Sequence, residues 1–302
     1  MSTCTKPTAA ESLTPKQIEI RQREQRILDT AYPLIRQGGL AAVSMEAIAR
    51  RMNYTRGTIY NHFANKEDIL LALAARAVSR RMTLFNHAAS MGDGTRQRCA
   101  AIGIAAEVYV DVMANEFTIE QLIRHDAVWK KTSPGRREVL GRCEAECIAV
   151  IGDVVGTAID AGDLPVPAGV ARGELIQQIV FGLWSLVYGG LVLEATSPSL
   201  VQSGIRNPRP AIRRNCNALL DQLAWRPFFQ AEDYQRFVRQ VTPKLVTAAE
   251  NILAGGNPDE PSDQETALQP ADAGPRHEVL SGGGSQPVME NEPERPSKGG
   301  QQ

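Results

Sequence analysis

The chain has 302 residues, of which 43% are hydrophobic, so it can bury a sizeable core, and its length predicts about two domains. Aromatic residues make up only 5%, and alanine and leucine outnumber the residues that strands prefer, which argues against a mainly β fold. The formal net charge of −1 would by itself argue against a nucleic-acid partner, because contact with phosphates requires local positive charge.

The charge is unevenly distributed along the chain. Residues 15–66 contain nine basic and four acidic residues, a balance of +5. Residues 255–302 contain three basic and nine acidic residues, a balance of −6. The two ends therefore have opposite electrostatic character.

Residues 1–13 are small, polar and without pattern, and we expect them to be disordered. The first helix is predicted to begin after Thr14, which can cap it, with Pro15 at the first helical position, and to end at Gly38-Gly39. A proline inside a helix removes a hydrogen bond, so Pro33 predicts a bend near Tyr32.

Two shorter helices are predicted next. Residues 44–52 begin with a capping serine, and residues 55–62 begin with a capping threonine. Asn53 and Tyr54 alone separate them, and asparagine tolerates the left-handed conformation that a tight turn between helices requires. Residues 65–68 resemble a capping box that opens a further helix.

The body of the chain, from about residue 67 to 254, keeps helical spacing of its apolar residues, for example within 143–159, 212–223 and 238–252. No segment shows sustained alternation, so we expect a helical bundle. Residues 255–302 contain seven prolines, eight glycines and nine acids and should form a disordered tail. We interpret this tail as a solubilising appendage. The alternative is that its negative charge competes with DNA for the positively charged residues 15–66.

The paired short helices within residues 44–62 have the layout of a helix-turn-helix, whose second helix enters the major groove of DNA. Apolar Ile59 and Phe63 lie four residues apart and can anchor one face of the second helix in the core. The rest of that segment carries the polar side chains of Arg56, Thr58, Asn61 and His62. Groups at or near helix starts that can hold phosphates are Ser44, Thr55, Tyr60 and Lys66.

A longer pattern runs without a gap through residues 27–69, and its core is Gly57-Thr58-Ile59-Tyr60-x-x-Phe63-x-x-Lys66-Glu67. It resembles the N-terminal domain of the TetR/AcrR family of bacterial transcriptional regulators. That resemblance implies a three-helix DNA-binding head, a larger helical domain with a small-molecule pocket, and a homodimer that represses transcription until a ligand binds.

The resemblance also implies roles for single residues. Ser44 would contact a phosphate, and Tyr60, His62 and Lys66 would grip phosphates. Contacts with the bases and the DNA backbone would come from Tyr54, Thr55, Arg56 and Thr58. Gly57 would allow close approach, and Asn61 lies on the same helix. Asn53 and the large Tyr54 stand where many members have glycine and a small residue, so the base preference can differ from theirs.

We find no catalytic motif and expect neither an enzyme, nor a metal site, nor a cofactor. Cys143 and Cys147 lie one helical turn apart, but two cysteines make an incomplete zinc site, and no histidine lies three or four residues away. We interpret both as core residues, with metal binding or oxidant sensing as the alternative. The five scattered cysteines and the absence of a signal-peptide pattern predict a cytoplasmic protein.

Residues 175–193 contain no charge, yet their strictly apolar part is shorter than the roughly 20 residues of a spanning helix, so we expect a buried helix and no membrane partner. Gly182, Gly189 and Gly190 would let another helix pack closely. The resemblance places half of a four-helix dimer interface here, and Trp184 and Tyr188 would line either that interface or the pocket.

The sequence therefore predicts an all-α protein with a helix-turn-helix domain at residues 14–66 and a helical ligand-binding and dimerisation domain at 67–254. We expect a homodimeric repressor that binds a near-palindromic operator and responds to an apolar or amphipathic small molecule. The alternative is a helical ligand-binding protein or enzyme with a vestigial DNA-binding head.

Overall fold

The computed structural model describes residues 14–260, and every regular element in that part of the chain is a helix, which confirms the all-α prediction. Residues 1–13 and 261–302, which include most of the predicted tail, lie outside the described residues. The helices are α1 (Pro15–Gly38), α2 (Met45–Met52), α3 (Arg56–Tyr60), α4 (Lys66–Ala89), α5 (Thr95–Val112), α6 (Ala114–Ile123), α7 (Asp126–Trp129), α8 (Pro134–Asp160), α9 (Arg172–Thr196), α10 (Ser199–Gln202), α11 (Arg209–Gln222) and α12 (Ala231–Ala254). A short 3-10 helix, Gly39–Ala42, follows α1.

The start of α1 is the predicted one. The Thr14 hydroxyl accepts a hydrogen bond from the backbone N–H of Gln17, and the Gln17 side chain accepts one from the backbone N–H of Thr14. The helix ends at Gly39, whose φ of 62° is a conformation that glycine adopts easily. Helical structure continues through Pro33, so the bend near Tyr32 stays a prediction.

The turn between α2 and α3 also follows the sequence. Asn53 has φ 55° and ψ 40°, which confirms the expected left-handed residue. The prediction of a helix over residues 55–62 was too long, because α3 ends at Tyr60. The backbone N–H of His62 bonds to the carbonyl of Ile59, three residues back, and this tighter turn brings Phe63 into the core.

Half of the predicted capping box at residues 65–68 is present. The Asn65 side chain accepts a hydrogen bond from the backbone N–H of Asp68 at 2.8 Å and so caps α4. The Asp68 carboxylate accepts instead from the backbone N–H of Ser133 at 2.7 Å, just before α8. Asp68 therefore ties the first turn of α4 to the start of α8.

The larger domain is built around α4, which packs along α5, α6 and α8, while α12 closes against α4 and α5. One end is fastened by the buried Arg96 on α5, which donates to the backbone carbonyl of Trp225 at 2.8 Å and to the Asp221 carboxylate at 2.7 Å. The buried Trp225 indole N–H donates to Thr95 in return. These bonds hold the chain between α11 and α12 against the start of α5.

The prediction that residues 175–193 are buried was wrong for one face of α9. Its inner face packs against α8 and α11, but Phe181 is 66% exposed and Leu193 is 53% exposed. By length and composition alone α9 could cross a membrane, a property that core helices of soluble proteins share. In this fold α9 has an apolar side that residues 14–260 leave uncovered.

Candidate nucleic-acid interface and internal cavity

One side of α3 is anchored in the core and the other is open. Ile59 and Phe63 are buried among apolar side chains of α1, α2 and α4. The exposed residues at the start and on the outer side of this segment are Thr55, Arg56, Gly57, Tyr60 and Asn61. Thr58 is half-buried between the two sides. The arrangement presents a polar surface on a firmly packed support.

Two of the predicted hydroxyls act as helix caps. Ser44 accepts a hydrogen bond from the backbone N–H of Ala47 at 3.1 Å, and Thr55 accepts one from that of Thr58 at 3.2 Å. These bonds fix the first turns of α2 and α3 and orient their N-termini, where unpaired backbone N–H groups can meet an anion.

Arg56 bridges the two short helices through an ion pair with Glu46 on α2. Both side chains are largely exposed, so water screens the pair and the guanidinium is free to exchange Glu46 for a phosphate or a base edge. A backbone hydrogen bond and the nearby Arg56 lower the pKa of Glu46, so this carboxylate is charged at neutral pH.

His62 and Tyr54 are placed differently from the exposed group. The His62 side chain is only 7% exposed and its Nδ1 lies 4.0 Å from the Glu24 carboxylate on α1. Burial lowers the pKa of His62, which favours the neutral imidazole at pH 7. Tyr54 packs partly against the core, and Lys66 is half-buried at the start of α4.

Sequence reasoning missed a residue that supports this surface from the second domain. Arg136, at the start of α8, donates to the Glu24 carboxylate at 2.8 Å and to the His62 carbonyl at 3.2 Å. Its guanidinium also lies 4.6 Å from the centre of the Phe63 ring. No local pattern could reveal these contacts, since 74 residues separate Arg136 from His62.

A second link joins α1 to α4 and α6. The Tyr32 hydroxyl donates to the buried Glu116 carboxylate at 2.9 Å, and Arg80 on α4 donates to the same carboxylate at 2.6 Å. Burial and the neighbouring Glu116 raise the pKa of Tyr32 to about 12, so the phenol remains a donor at physiological pH.

The second domain encloses a cavity of about 910 Å³, counting its open mouth. Trp184 and Tyr188 on α9 both line it. Most of the remaining lining is apolar or aromatic, and it includes Phe85, Tyr109, Phe117, Leu183 and Leu220. The mostly apolar lining suits a small organic molecule.

The glycines of α9 serve different surfaces. A Cβ at Gly182 would lie 3.0 Å from the Leu219 side chain, and one at Gly190 would collide with Ile212, so these two glycines let α11 of the same chain approach. A Cβ at Gly189 would meet nothing within 4 Å. Of the glycines predicted to admit another helix, Gly182 is therefore used within the chain and Gly189 is open.

Three of the four cysteines within residues 14–260 are buried, and Cys216 is partly exposed. Burial raises the pKa of Cys147 to about 11 and that of Cys99 to about 12, which keeps both protonated and unreactive. Cys143 is fully buried on the same helix. Within residues 14–260 no group of three or more potential metal ligands occurs.

A short helix with an exposed polar side, anchored by two buried residues and preceded by a left-handed turn and a second short helix, has the geometry of a helix-turn-helix, a motif found in DNA-binding proteins. Residues 27–73 match the family model described as bacterial regulatory proteins, tetR family. The match begins within α1 and ends within α4, so the similarity to the tetR family lies in the helix-turn-helix part of the chain.

Curated relatives match over the same part of the molecule. The chain is 35% identical over 78 residues to the HTH-type transcriptional repressor KstR of Mycolicibacterium smegmatis, which is 26% of this chain and 38% of that repressor. It is 41% identical over 51 residues to the HTH-type transcriptional regulator AcrR of Shigella flexneri, or 17% of this chain and 24% of AcrR. The matches therefore span less than half of either relative.

A solved structure is similar over a longer part of the chain. A crystal structure of a bacterial regulatory protein in the tetR family from Rhodococcus RHA1 superimposes with a TM-score of 0.47. The sequence identity is 16%, over 68% of this chain and 98% of that one.

Proposed function

We propose that this protein is a homodimeric repressor of transcription that binds a near-palindromic DNA operator and responds to an apolar or amphipathic small molecule. The observation that carries the proposal is the exposed polar side of α3, held outward by the buried Ile59 and Phe63. Its buried thiols fit the reducing cytoplasm we expect for it.

The contacts with DNA divide into two groups. Arg56 and Thr58 face the base edges, with Asn61 and Tyr54 beside them, and Gly57 allows close approach. Phosphate contacts come from Ser44, Thr55, Tyr60 and Lys66. We leave His62 out of this set, because its imidazole is almost wholly buried against Glu24.

Two copies of the head are needed to read a near-palindrome. The uncovered apolar face of α9, with Phe181, Gly189 and Leu193, supports a dimer formed by packing this helix against a second copy. The two α3 helices would then enter successive major grooves about 34–36 Å apart. An effector would act by favouring a dimer whose heads have a different separation.

The cavity supports the response to a ligand. It is lined by α4, α5, α6, α8, α9, α11 and α12, and three of these helices, α4, α6 and α8, also contact α1. A molecule in the cavity therefore touches the helices that hold the head. No catalytic group is required for this function.

Gel-shift titration with the DNA flanking its own gene tests the proposal. We expect saturable binding that falls steeply with salt. Lys66→Ala should weaken binding to all sequences and reduce the slope of log affinity against log salt by about 1, whereas Arg56→Ala should change the sequence preference. His62→Gln is the matched control, since a buried imidazole should change neither slope nor preference.

Wild-type behaviour of both Lys66→Ala and Arg56→Ala would refute this docking geometry. Failure of the wild-type protein to bind any duplex at low salt would favour a vestigial head on a ligand-binding protein.

A further inference from the structure

Residues 131–136, which connect α7 to the first turn of α8, contact the head, and we call them the bridging segment. The side chain of Arg136 donates to the Glu24 carboxylate on α1 at 2.8 Å and to the backbone carbonyl of His62 at 3.2 Å. Its guanidinium also lies 4.6 Å from the centre of the Phe63 ring, close enough for a cation–π interaction. One side chain therefore holds both α1 and the residues that follow α3.

A second residue of the bridging segment binds the head through its backbone. The Nδ2 of Asn65 donates to the carbonyl of Lys131 at 2.9 Å. The orientation of this amide is fixed, because its Oδ1 accepts the capping hydrogen bond from the backbone N–H of Asp68. Asn65 therefore uses one end of its side chain to begin α4 and the other to bind the bridging segment.

The bridging segment is itself firmly held. The backbone N–H of Ser133 donates to the Asp68 carboxylate at 2.7 Å. Arg137, the next residue after the segment, donates to the carbonyls of Trp129 and Thr132 and to the Thr132 hydroxyl at 2.7–2.8 Å. These bonds close the turn between α7 and α8, so the segment presents a fixed surface to the head.

The bridging segment and α6 attach to α1 at two separate points. Glu24 binds Arg136 on α8, and Tyr32 binds Glu116 on α6. Tyr32 follows Glu24 by eight residues, which is about 12 Å along a helix. A single attachment would let the head turn about it, whereas two attachments to one helix fix its angle. The side chains of Glu24 and Arg136 are each only 25% exposed, so water screens this pair only in part.

We propose that Arg136 determines which spacing of operator half-sites the dimer accepts. The inference rests on the proposed operator binding and adds to it a positioning residue that selects between DNA sites without touching DNA. One extra base pair between half-sites moves them apart by about 3.4 Å and rotates one relative to the other by about 35°. With Arg136 in place each head resists this movement. Without Arg136 each head can turn, and both spacings are bound.

Gel-shift titration of the full-length protein against two duplexes tests this role. The first duplex is the fragment flanking its own gene that the wild-type protein binds. The second is the same fragment with one base pair inserted at the centre of the footprint. The measured quantity is the ratio of the two dissociation constants, inserted over original. We expect this ratio to be at least tenfold smaller for Arg136→Gln than for the wild-type protein, because the insertion then breaks no hydrogen bonds of a charged group.

A second variant removes the other contact and keeps the helix cap. Asn65→Asp retains an oxygen that accepts from the Asp68 N–H but has no donor for the Lys131 carbonyl, so the ratio should fall here too. The added negative charge weakens binding to both duplexes alike and cancels from the ratio. Arg142→Gln is the matched control, because Arg142 is also on α8 but forms an exposed ion pair with Glu138. Its ratio should equal that of the wild-type protein.

Hydrogen exchange of the full-length protein without DNA separates this proposal from the proposed function. Peptides that cover residues 59–66 and 131–137 should exchange faster in Arg136→Gln than in the wild-type protein or in Arg142→Gln. Unchanged exchange in these peptides would overturn the proposal, whatever the protein does with DNA.

Two results of the DNA titration would also overturn it. One is equal affinity of the wild-type protein for both duplexes. The other is an unchanged ratio in Arg136→Gln, even with weaker binding to both duplexes, because Arg136 would then only support the fold of the head. Failure of the wild-type protein to bind any duplex would overturn the proposed function, and the spacing role with it.

Discussion

The uncovered face of α9 provides a quantitative test of dimer formation through the substitution Phe181→Asp. An aromatic side chain can bury about 150–250 Å². Because Phe181 is 66% exposed, a partner helix could cover roughly 100–165 Å² of it, worth about 2.5–4 kcal/mol at ~25 cal/mol per Å².

A two-fold interface contains the residue twice, so the loss in the dimer is at most about 5–8 kcal/mol, before the cost of burying two carboxylates is added. Even half of this upper limit raises the dissociation constant of the dimer by about a hundredfold or more. The change should therefore be large enough to convert the dimer to monomer at micromolar concentration.

Sedimentation velocity over a concentration series measures the effect directly. Ile18→Asp is the matched control, because Ile18 is also an exposed apolar residue but lies on α1, in the head. We expect Ile18→Asp to dimerise like the wild-type protein. A Phe181→Asp variant with the wild-type dimer dissociation constant would refute the assignment of this face.

Three further substitutions test contacts within the chain. Arg96→Met removes the bonds of a buried guanidinium to the Trp225 carbonyl and the Asp221 carboxylate. Because the carbonyl is left buried without this donor while the half-exposed carboxylate can meet water, urea denaturation should show a loss of about 1–3 kcal/mol, and an unchanged midpoint would contradict this role. Tyr32→Phe removes one of two donors to the buried Glu116 and should cost about 1–3 kcal/mol in the same assay, an unchanged midpoint being the contrary result. Because burial lowers the pKa of His62 in the folded state, the unfolded chain binds the proton more readily, so this residue contributes stability above its ordinary pKa that is lost as the pH falls below it. Between pH 7.5 and pH 5.5 the melting temperature should therefore fall less for His62→Gln than for the wild-type protein. The same dependence of melting temperature on pH in both proteins would contradict the predicted destabilisation by His62 at low pH.

The sequence predicted best what local chemistry decides. The caps at Thr14 and Asn65 and the left-handed Asn53 each depend on groups within a few residues, so the residue type was sufficient to predict them. The anchors Ile59 and Phe63 followed from spacing for the same reason.

Long-range contacts had no such signal. In the sequence Arg136 looks like an ordinary surface charge, and only the fold shows that it donates to the His62 carbonyl. Asp68 likewise looks like a helix cap, whereas in the fold its carboxylate accepts a hydrogen bond from the Ser133 N–H. The exposed face of α9 was missed because a helix that is apolar on all sides carries no polar stripe to mark which side faces the core.

The contacts between α4 and α6 connect the cavity with α1. Adjacent arginines of α4 pair with carboxylates one turn apart on α6, since Arg80 binds Glu116 and Arg81 lies against Glu120. The first pair continues to Tyr32 on α1, and the second faces the cavity. Because both pairs share the same two helices, we expect a ligand that displaces Arg81 to shift α6 as well, and with it the Glu116–Tyr32 bond. The coupling is limited by the difference in affinity of the ligand for the two arrangements, so tight binding to the cavity alone would not release DNA.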